Sequence, residues 1–410
     1  MYDTPHSNSA VVPAHIPPEL VFDYDINGDP RLLANIHDGL LDLLEVAPGP
    51  IFYAPQNGGS WVAIGYRECY EISRNFKVFG NNPAVVDPAF SMTPRIPVSF
   101  DPPEHSVYRR VLMEHLTPKA LASLEPEIET TLNDLIDQVI DEGRCDFVPS
   151  VSEPLPVWVF MRMMGLPLDR YKQFREWVSS LVIMVPPEVR QKTLDLVMEM
   201  TGPLVRERME VRQDDLISRI IDADLDGRKP TFEEVQSYCL MLFIAGLDTV
   251  VNGMSFGINH LAQDLELQDQ LRADRSLIPA AVEELLRRYS FANPGRIVVE
   301  DFEAYGISFK RGDEVRLLLS AADLDAHEYP DPAKMNLNRP LTHLAFNAGP
   351  HRCVGLHLAR LELRMLYETW LRRVPRFRLD SERSWRFHQG VVHGVESLPL
   401  VWEPPKKALL

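Results

Sequence analysis

Cysteine is scarce in this chain of 410 residues, and its 4 cysteines lie far apart at positions 69, 145, 239 and 353. No two of them form a Cys-x-x-Cys motif, so the sequence indicates neither a structural zinc site nor a disulfide framework. Disulfides are rare in the reducing cytoplasm. We therefore expect a cytoplasmic protein.

Long hydrophobic runs and a net positive charge are also lacking. We identify no stretch that approaches the roughly 20 apolar residues of a membrane span, and residues 1–20 contain no apolar segment typical of a signal peptide. The net charge of −17 argues against nucleic acid or an anionic membrane as a partner. An apolar content of 45% and a charged content of 25% are typical of a globular protein.

Helical periodicity dominates the sequence from about residue 105 to residue 286. Asn57-Gly58-Gly59 separates two apolar runs, which predicts a β-hairpin. Short strands are expected at residues 51–54, 61–64, 296–299 and within 306–319. The predicted fold class is mainly α with a small β region, in a single large domain.

The expected domain organisation is simple. Residues 1–18 are predicted to form a mobile N-terminal arm, residues 19–404 the domain, and residues 405–410 a C-terminal tail. Two proline-rich stretches, 85–103 and 329–340, are predicted to be long loops. Long loops in compact domains are often functional.

The stretch Phe346–Gly355 places one cysteine in a turn built from glycine and proline. Apolar residues recur at helical spacing from Val354 to Met365, so Cys353 is predicted to lie at a helix N-terminus. The free N–H groups and helix dipole there favour thiolate over thiol. A thiolate in a rigid loop can ligate a metal. A lone cysteine is more often a small buried hydrophobic residue, and the cysteine alone leaves both interpretations open.

A second informative segment follows a capping box formed by Thr231 and Glu234. The predicted helix is apolar on most faces, as a core helix is, but Ala245-Gly246-Leu247-Asp248-Thr249 interrupts it. One interpretation is structural, with a packing contact at Gly246 and an ion-paired Asp248. The other is functional, with a groove in which the acid and the alcohol deliver protons.

The same helix contains Gly253-Met254-Ser255-Phe256-Gly257, which fits the nucleophile elbow of hydrolases. That motif requires a preceding strand and a sharp turn at the serine. Here the residues lie within a continuous helical pattern, which argues against a serine hydrolase.

The Phe-x-x-Gly-x-His-Arg-Cys-x-Gly loop resembles the haem-binding loop of the cytochrome P450 family, and residues 245–249 resemble its oxygen-activation motif. The resemblance extends from about residue 50 to residue 402. Within the family, the chain resembles most the soluble bacterial, camphor-hydroxylase-like group. The shared stretches are 101–104, 245–252, 283–288 and 394–402. One departure is Asn347, where many members have glycine.

The resemblance implies the cytochrome P450 fold and a haem b whose iron is ligated by Cys353. Thiolate ligation pushes electron density toward O–O bond cleavage. The haem-binding loop is represented by Phe346, Gly349 and Gly355, and the positions that bind the haem propionates by His105, Arg109, Arg296 and His351.

The resemblance also implies roles for the interrupted helix and for a set of buried charges. Thr249 would hydrogen-bond the oxygen species at the iron, and Asp248 would pass solvent protons inward. Glu284, Arg287 and Arg339 match a buried structural trio. An isolated Glu-x-x-Arg motif is more often a solvated surface pair.

The implied electron donor is NADH, acting through a flavoprotein reductase and a [2Fe-2S] ferredoxin, with O2 as co-substrate. Arg109, Arg110, Arg360 and Arg364 are expected to form a basic patch that attracts the acidic ferredoxin. Alternatively, Arg360 and Arg364 only decorate a helix surface. We expect a monomer.

The camphor-type enzyme uses a tyrosine to bind its substrate's ketone, but this chain has no tyrosine between Tyr70 and Tyr108. Thr93 falls at about that place. The other expected substrate-binding residues are Met241, Ile244, Ala245, Ala292 and Val391. Nearly all are apolar, so we expect a compact terpenoid or aromatic hydrocarbon skeleton. Because the tyrosine is missing, we do not expect camphor itself.

The sequence therefore predicts a haem-thiolate monooxygenase that inserts one oxygen atom into an unactivated C–H bond. One alternative is a haem-thiolate protein that binds small molecules without oxygenating them. Another is a thiol or serine hydrolase without haem.

Overall fold

A computed structural model describes residues 10–82, 95–174, 187–340 and 342–404. The described helices are α1 (Ile36–Val46), α2 (Tyr66–Arg74), α3 (Glu104–His115), α4 (Pro118–Leu121), α5 (Glu125–Asp137), α6 (Pro154–Met164), α7 (Pro187–Glu210), α8 (Leu216–Asp222), α9 (Phe232–Gly246), α10 (Asp248–Gln263), α11 (Leu265–Ala273), α12 (Ile278–Arg288), α13 (Leu319–Ala322) and α14 (Leu356–Arg373). Short 3-10 turns connect several of them.

The described strands are short and form four small sheets. They are β1 (Ile51–Ala54), β2 (Ser60–Ala63), β3 (Phe79–Gly80), β4 (Arg144–Asp146), β5 (Gly295–Val298), β6 (Phe302–Ala304), β7 (Ile307–Phe309), β8 (Glu314–Leu317), β9 (Phe377–Leu379), β10 (Arg386–His388), β11 (Gly394–Ser397) and β12 (Pro399–Trp402). The predicted mainly α fold with a small β region is confirmed.

The largest sheet has the strand order β1-β2-β8-β5-β3. Its first two strands form the predicted hairpin, in which Ile51 pairs with Ala63. Strand β2 then runs parallel to β8. Strand β4 was not predicted, because its three residues lie within the region of helical periodicity and pair with the distant β12.

The central helices α9 and α10 follow one another with a break at Leu247, whose backbone angles are φ −101° and ψ −64°. The capping box at the start of α9 is confirmed: Thr231 Oγ1 accepts from the Glu234 N–H, and the Glu234 carboxylate accepts from the Thr231 N–H. Helix α10 is buried along most of its length, including Met254, Phe256 and Ile258.

The expectation that no stretch approaches a membrane span is wrong for Phe232–Gln263. By length and composition alone, these 32 residues would be long and apolar enough to cross a membrane. Half of the most apolar window is buried inside the protein, and the core helix of a soluble protein passes the same test. The two helices contact α12, α14 and α6, so they form the centre of the domain's core.

The N-terminal segment that the structure describes lies against the large sheet. Ala10 N–H donates to the Pro55 carbonyl at 2.8 Å. Ile16 is buried in the sheet's hydrophobic cluster, and His15 lies 3.2 Å from the Asp313 carboxylate. Ala10, His15 and Ile16 of the predicted arm therefore contact the domain.

Candidate functional site

Cys353 lies in the loop that immediately precedes α14, as predicted. The loop is closed by two backbone bonds: Cys353 N–H donates to the Phe346 carbonyl at 2.8 Å, and Arg352 N–H donates to the Gly349 carbonyl at 3.1 Å. The cysteine is exposed and lines a cavity bounded by α3, α6, α9 and α14. The interpretation of Cys353 as a buried hydrophobic residue is therefore wrong.

Two residues of the loop adopt left-handed backbone conformations. Gly349 has φ +68°, and a Cβ there would lie 2.5 Å from the Ser73 carbonyl oxygen, so only glycine fits. Asn347 has φ +59°, a region that asparagine enters more readily than most residues. Its Oδ1 accepts from the Ser73 hydroxyl and the Ala348 N–H, both at 2.7 Å. Asparagine thus satisfies the turn that many relatives make with glycine, and it ties the loop to α2.

The other two predicted loop residues have different roles. Phe346 is buried to 9% exposure, and the guanidinium of Arg360 lies 4.6 Å from its ring centre. Gly355 has ordinary backbone angles, and a Cβ there would only make normal contact, at 3.9 Å, with Cys353 Sγ. Gly355 keeps the space beside the sulfur open.

Although Cys353 is open to the cavity, the surrounding protein desolvates its sulfur and so raises the pKa of the thiol, while the Gly355 N–H and the guanidinium groups of Arg109, Arg360 and Arg352 act in the opposite direction. For the free side chain, this desolvation opposes the preference for thiolate that the helix N-terminus favours. A coordinated metal ion deprotonates a thiol outright. The positive charge of a bound iron would therefore stabilise the Cys353 thiolate, which the loop alone does not.

The predicted propionate-binding side chains form a group of buried donors. His105, Arg109 and His351 line the same cavity as Cys353, and the two imidazole rings lie 4.4 Å apart. Burial, followed by the charges of His351 and Arg109, lowers the pKa of His105 to about 4. His351 is hydrogen-bonded to Asp101 at 2.9 Å.

Arg296 has the most incomplete set of partners in this group. It is 6% exposed, and its Nη2 has no hydrogen-bond partner. Burial lowers its pKa to about 10. A buried cation is costly without an anion. Arg296 Nη1 donates to the Gly295 carbonyl at 2.7 Å, and the charge of Arg296 acts on His351. The Nη2 that has no partner therefore fits a group that brings carboxylates, as haem does with its two propionates.

The break between α9 and α10 carries the predicted acid and alcohol. Thr249 Oγ1 donates to the Ala245 carbonyl at 2.8 Å, and Asp248 Oδ1 accepts from Asn252 Nδ2 at 3.0 Å. A Cβ on Gly246 would find only Phe160, at 4.0 Å. Gly246 lines the cavity, so the structure does not support the alternative of a tight packing contact.

The surroundings of Asp248 raise the pKa of its carboxyl. Burial raises its pKa to about 6, and Glu153 acts in the same direction, while His388 and Asn252 lower it. A carboxyl with a pKa close to the working pH suits general acid–base transfer.

Only some of the predicted substrate-binding residues line the cavity. Met241 and Ala245 line the cavity with Cys353. Ile244, Ala292 and Val391 are not among its described lining residues; Ala292 bridges to Val392, and Val391 is 45% exposed. Thr93 lies outside the described residues.

The sequence did not reveal the remaining walls of the cavity. They come from α3 and α6, which were predicted only as helices, and from the start of α14. The described lining includes Leu112, Leu116, Val159, Phe160, Met163 and Glu362. The apolar run of α6 was a usable signal for burial, but nothing in it distinguishes a cavity wall from a packed core.

Glu362 is the unexpected member of this lining. Its side chain is 1% exposed, and its Oε2 has no hydrogen-bond partner. Burial alone raises its pKa to about 8. This shift favours the protonated, uncharged form of the Glu362 carboxyl at pH 7.

The predicted trio of buried charges is confirmed. Arg287 donates two hydrogen bonds of 2.9 Å to the Glu284 carboxylate, and Arg339 Nε donates a third at 3.1 Å. Arg287 also donates to the carbonyls of Asp323 and Pro332. The trio fixes the segment before the cysteine loop to α12.

The four arginines of the expected basic patch all have partners within the protein. Arg109 donates to the Arg352 carbonyl. The other three arginines are paired with carboxylates: Arg110 with Asp226, Arg360 with Glu283, and Arg364 with Glu125 and Glu368. Most of the positive charge expected on this face is therefore locally neutralised.

The Gly-x-Ser-x-Gly segment lies within α10. Ser255 is fully buried, and its hydroxyl lies 2.9 Å from that of Ser152. Without a turn or access to solvent, it is not a nucleophile elbow.

Comparison with known proteins identifies the family to which the chain is similar. The family model described as "Cytochrome P450" matches residues 179–384. The chain is 31% identical over 409 residues to a "Probable cytochrome P450 127A1" from Sinorhizobium fredii, covering 95% of this chain and 97% of that protein. It is also 31% identical to a "Steroid C26-monooxygenase" from Mycobacterium tuberculosis, over 87% of this chain and 97% of the relative.

A solved structure has the same fold over nearly the whole chain. The crystal structure of CYP101J2 has a TM-score of 0.87 and 32% identity, and the match covers 95% of this chain and 99% of that one. The match supports the resemblance to the camphor-hydroxylase-like group of bacterial enzymes. The chain therefore belongs to the cytochrome P450 family: it is a monooxygenase that uses haem b and O2, with reducing equivalents that reach it from a reduced pyridine nucleotide through redox partners.

Proposed function

We propose that this monooxygenase hydroxylates a compact hydrophobic substrate, terpenoid-like or aromatic, with Cys353 as the iron ligand. The observation that carries the proposal is a single cavity that contains the Cys353 thiol and the apolar side chains of Met241 and Ala245. When bound, the haem supplies the dioxygen activation and the oxidising power that C–H insertion requires. The residues of this chain supply binding, orientation and protons.

The proposed roles around the haem follow from the donors at the cavity. Cys353, held by the Phe346 and Gly349 bonds, ligates the iron. Arg296 and Arg109 bind the propionates as cations. His105 and His351 lie in buried positions that lower the pKa of each imidazole, so they act as neutral N–H donors until a propionate approaches.

Asp248 and Thr249 are proposed to manage protons. The Asp248 carboxyl takes a proton from the solvent side and releases it inward, and Thr249 holds a hydroxyl proton at Oγ1 through its bond to Ala245. Both side chains lie where the central helix is broken, next to the cavity wall formed by Ala245 and Gly246.

The substitution Thr249→Ala tests this proton role. We expect product formed per NADH to fall and hydrogen peroxide to rise several-fold, with haem content unchanged. Thr130→Ala is a matched control, because Thr130 makes the same bond to the carbonyl four residues earlier, on an exposed helix face. Unchanged coupling in Thr249→Ala would contradict the role.

The reaction class is tested on the haem-loaded protein by carbon monoxide difference spectroscopy. Cys353→His should remove the band shift that is characteristic of thiolate ligation. A well-folded, haem-loaded wild-type protein without that shift would refute Cys353 as the ligand.

The substrate class is tested by spin-state titration. We expect compact terpenoids or aromatics to bind more tightly than steroids. Relatives named for steroid and polyketide reactions justify including both larger classes in the panel. Tighter binding of either larger class would refute the compact-substrate proposal.

The electron donors are proposed to be a [2Fe-2S] ferredoxin and its NADH-dependent flavoprotein reductase, acting on a cytoplasmic monomer. Since the arginines of this face are mostly paired, we expect only a modest decrease in the reduction rate with salt. Stopped-flow reduction by a ferredoxin and by a flavodoxin, at several salt concentrations, tests the donor. Faster reduction by the flavodoxin would contradict it.

A further inference from the structure

Arg360 of α14 holds its positive charge beside the cysteine loop. Its guanidinium lies 4.6 Å from the ring centre of Phe346, and the Phe346 carbonyl accepts the N–H of Cys353 at 2.8 Å. The charge of Arg360 also favours the thiolate form of Cys353. Because the Arg360 side chain is only 26% exposed, water screens this charge incompletely.

Glu283 of α12 neutralises Arg360. Its carboxylate accepts two hydrogen bonds from the guanidinium, one from Nε at 2.5 Å and one from Nη2 at 2.7 Å. Such bidentate pairs are stronger and more fixed in geometry than single bonds. Burial raises the pKa of Glu283, but the hydrogen bonds from Arg360 and His343 lower it to about 2. The carboxylate is therefore ionised at neutral pH.

His343 binds the same carboxylate without adding a charge. Its Nδ1 accepts the Ala345 N–H at 3.2 Å, so a neutral ring carries its proton on Nε2. This nitrogen lies 3.2 Å from the Glu283 carboxylate, to which it donates. The ring of His343 lies 5.8 Å from that of Phe346. One cation, one anion and one neutral imidazole therefore meet beside the cysteine loop.

We propose that the Glu283–Arg360 pair sets the reduction potential of the bound haem by controlling how much positive charge acts on the Cys353 sulfur. A nearby cation stabilises the reduced iron–thiolate centre, which has one more negative charge than the oxidised centre. Glu283 cancels most of the Arg360 charge and so keeps the potential low. The inference rests on the proposed role of Cys353 as the iron ligand. Both residues act through that ligand and not on the substrate.

Spectroelectrochemical titration of the haem-loaded protein at pH 8 tests the pair. In Glu283→Gln, Arg360 keeps its charge and loses its anion. We expect the equilibrium constant for one-electron reduction to rise about three-fold, which is about 28 mV at 59 mV per ten-fold change. In Arg360→Gln the cation is lost and the potential should fall. The double variant should lie between the two. An unmoved potential in Glu283→Gln, or shifts of the same sign in both single variants, would overturn the inference.

Glu125→Gln is the matched control on the same face. Glu125 pairs with Arg364, one turn further along α14, at 3.2 Å. The two side chains are 43% and 31% exposed, compared with 10% and 26% for Glu283 and Arg360. Since water screens the control pair more fully, its equilibrium constant should change less than about 1.5-fold. A shift as large as that of Glu283→Gln would show that position does not matter and would refute the inference.

Carbon monoxide difference spectroscopy of the same samples separates this inference from the proposed function. If the wild type lacks the thiolate band shift, Cys353 is not the ligand and both fail. If the shift is present throughout and the potentials do not move, only the inference fails. Should Glu283→Gln lose its haem, Arg360→Lys and Arg360→Gln give the test from the other partner. Lysine keeps the charge and should retain the wild-type potential, whereas equal shifts in these two variants would overturn the inference.

Discussion

Glu362→Gln is expected to stabilise the protein, and increasingly so as the pH rises. Burial raises the pKa of Glu362 from an ordinary 4.5 to about 8, so the folded protein holds a proton that the unfolded chain releases. The stability this group contributes is complete below pH 4.5 and is lost as the pH rises toward 8. At about 1.4 kcal/mol per pH unit, the loss approaches roughly 3 kcal/mol at pH 7.

Glutamine has the same shape and does not titrate, so it removes this pH-dependent cost. The measurement is the free energy of unfolding in urea at several values between pH 5 and pH 8.5, compared between the variant and the wild type. The variant's advantage should grow by roughly 1 to 4 kcal/mol over that range.

Glu368→Gln is the matched control on the same helix. Glu368 is 35% exposed and paired with Arg364, and surface pairs contribute about 0–1 kcal/mol. Its difference from the wild type should therefore change little with pH. A Glu362→Gln advantage that stays constant from pH 5 to pH 8.5, or that reverses at high pH, would refute the assignment of a neutral buried acid.

Other substitutions test the frame around the cavity. Arg287→Ala breaks a buried pair and should cost about 3–5 kcal/mol, seen as a loss of haem incorporation; Arg372→Ala, which breaks an exposed pair, should cost less than about 1 kcal/mol. Gly349→Ala should lower haem content because its Cβ would lie 2.5 Å from the Ser73 carbonyl oxygen. Asn347→Gly should retain haem. Loss of haem in Asn347→Gly but not in Gly349→Ala would contradict the argument from positive φ and close backbone contact. Arg296→Gln should weaken haem retention, measured as the rate of haem transfer to apomyoglobin, and an unchanged rate would argue against a propionate partner.

Local patterns predicted the features that short segments determine. The hairpin at Asn57-Gly58-Gly59, the capping box at Thr231 and the helix that follows Cys353 each depend on a few neighbouring residues, and the structure agrees with each prediction. The fold class followed from periodicity in the same way. Strand β4 was missed because its pairing partner is more than 250 residues away in sequence.

Features that depend on distant partners could not be predicted. Arg360 and Glu283 are 77 residues apart in sequence, so nothing local indicates that the arginine is neutralised. The pKa of the Cys353 thiol also depends on distant residues. The helix N-terminus can be predicted from the sequence, but the cavity walls that desolvate the sulfur come from α3, α6 and α9. Glu362 looks like one more polar position on an amphipathic helix until its surroundings are known.

The left-handed conformation at Asn347 has a consequence for how such loops are recognised. A pattern that demands glycine at that position would pass over this chain, although the backbone turns there in the left-handed sense and the cysteine is held in place. What the loop requires is a pair of dihedral angles, and asparagine meets that requirement while adding bonds to its neighbours. Searches for related loops would gain by accepting any residue that tolerates a positive φ at this position.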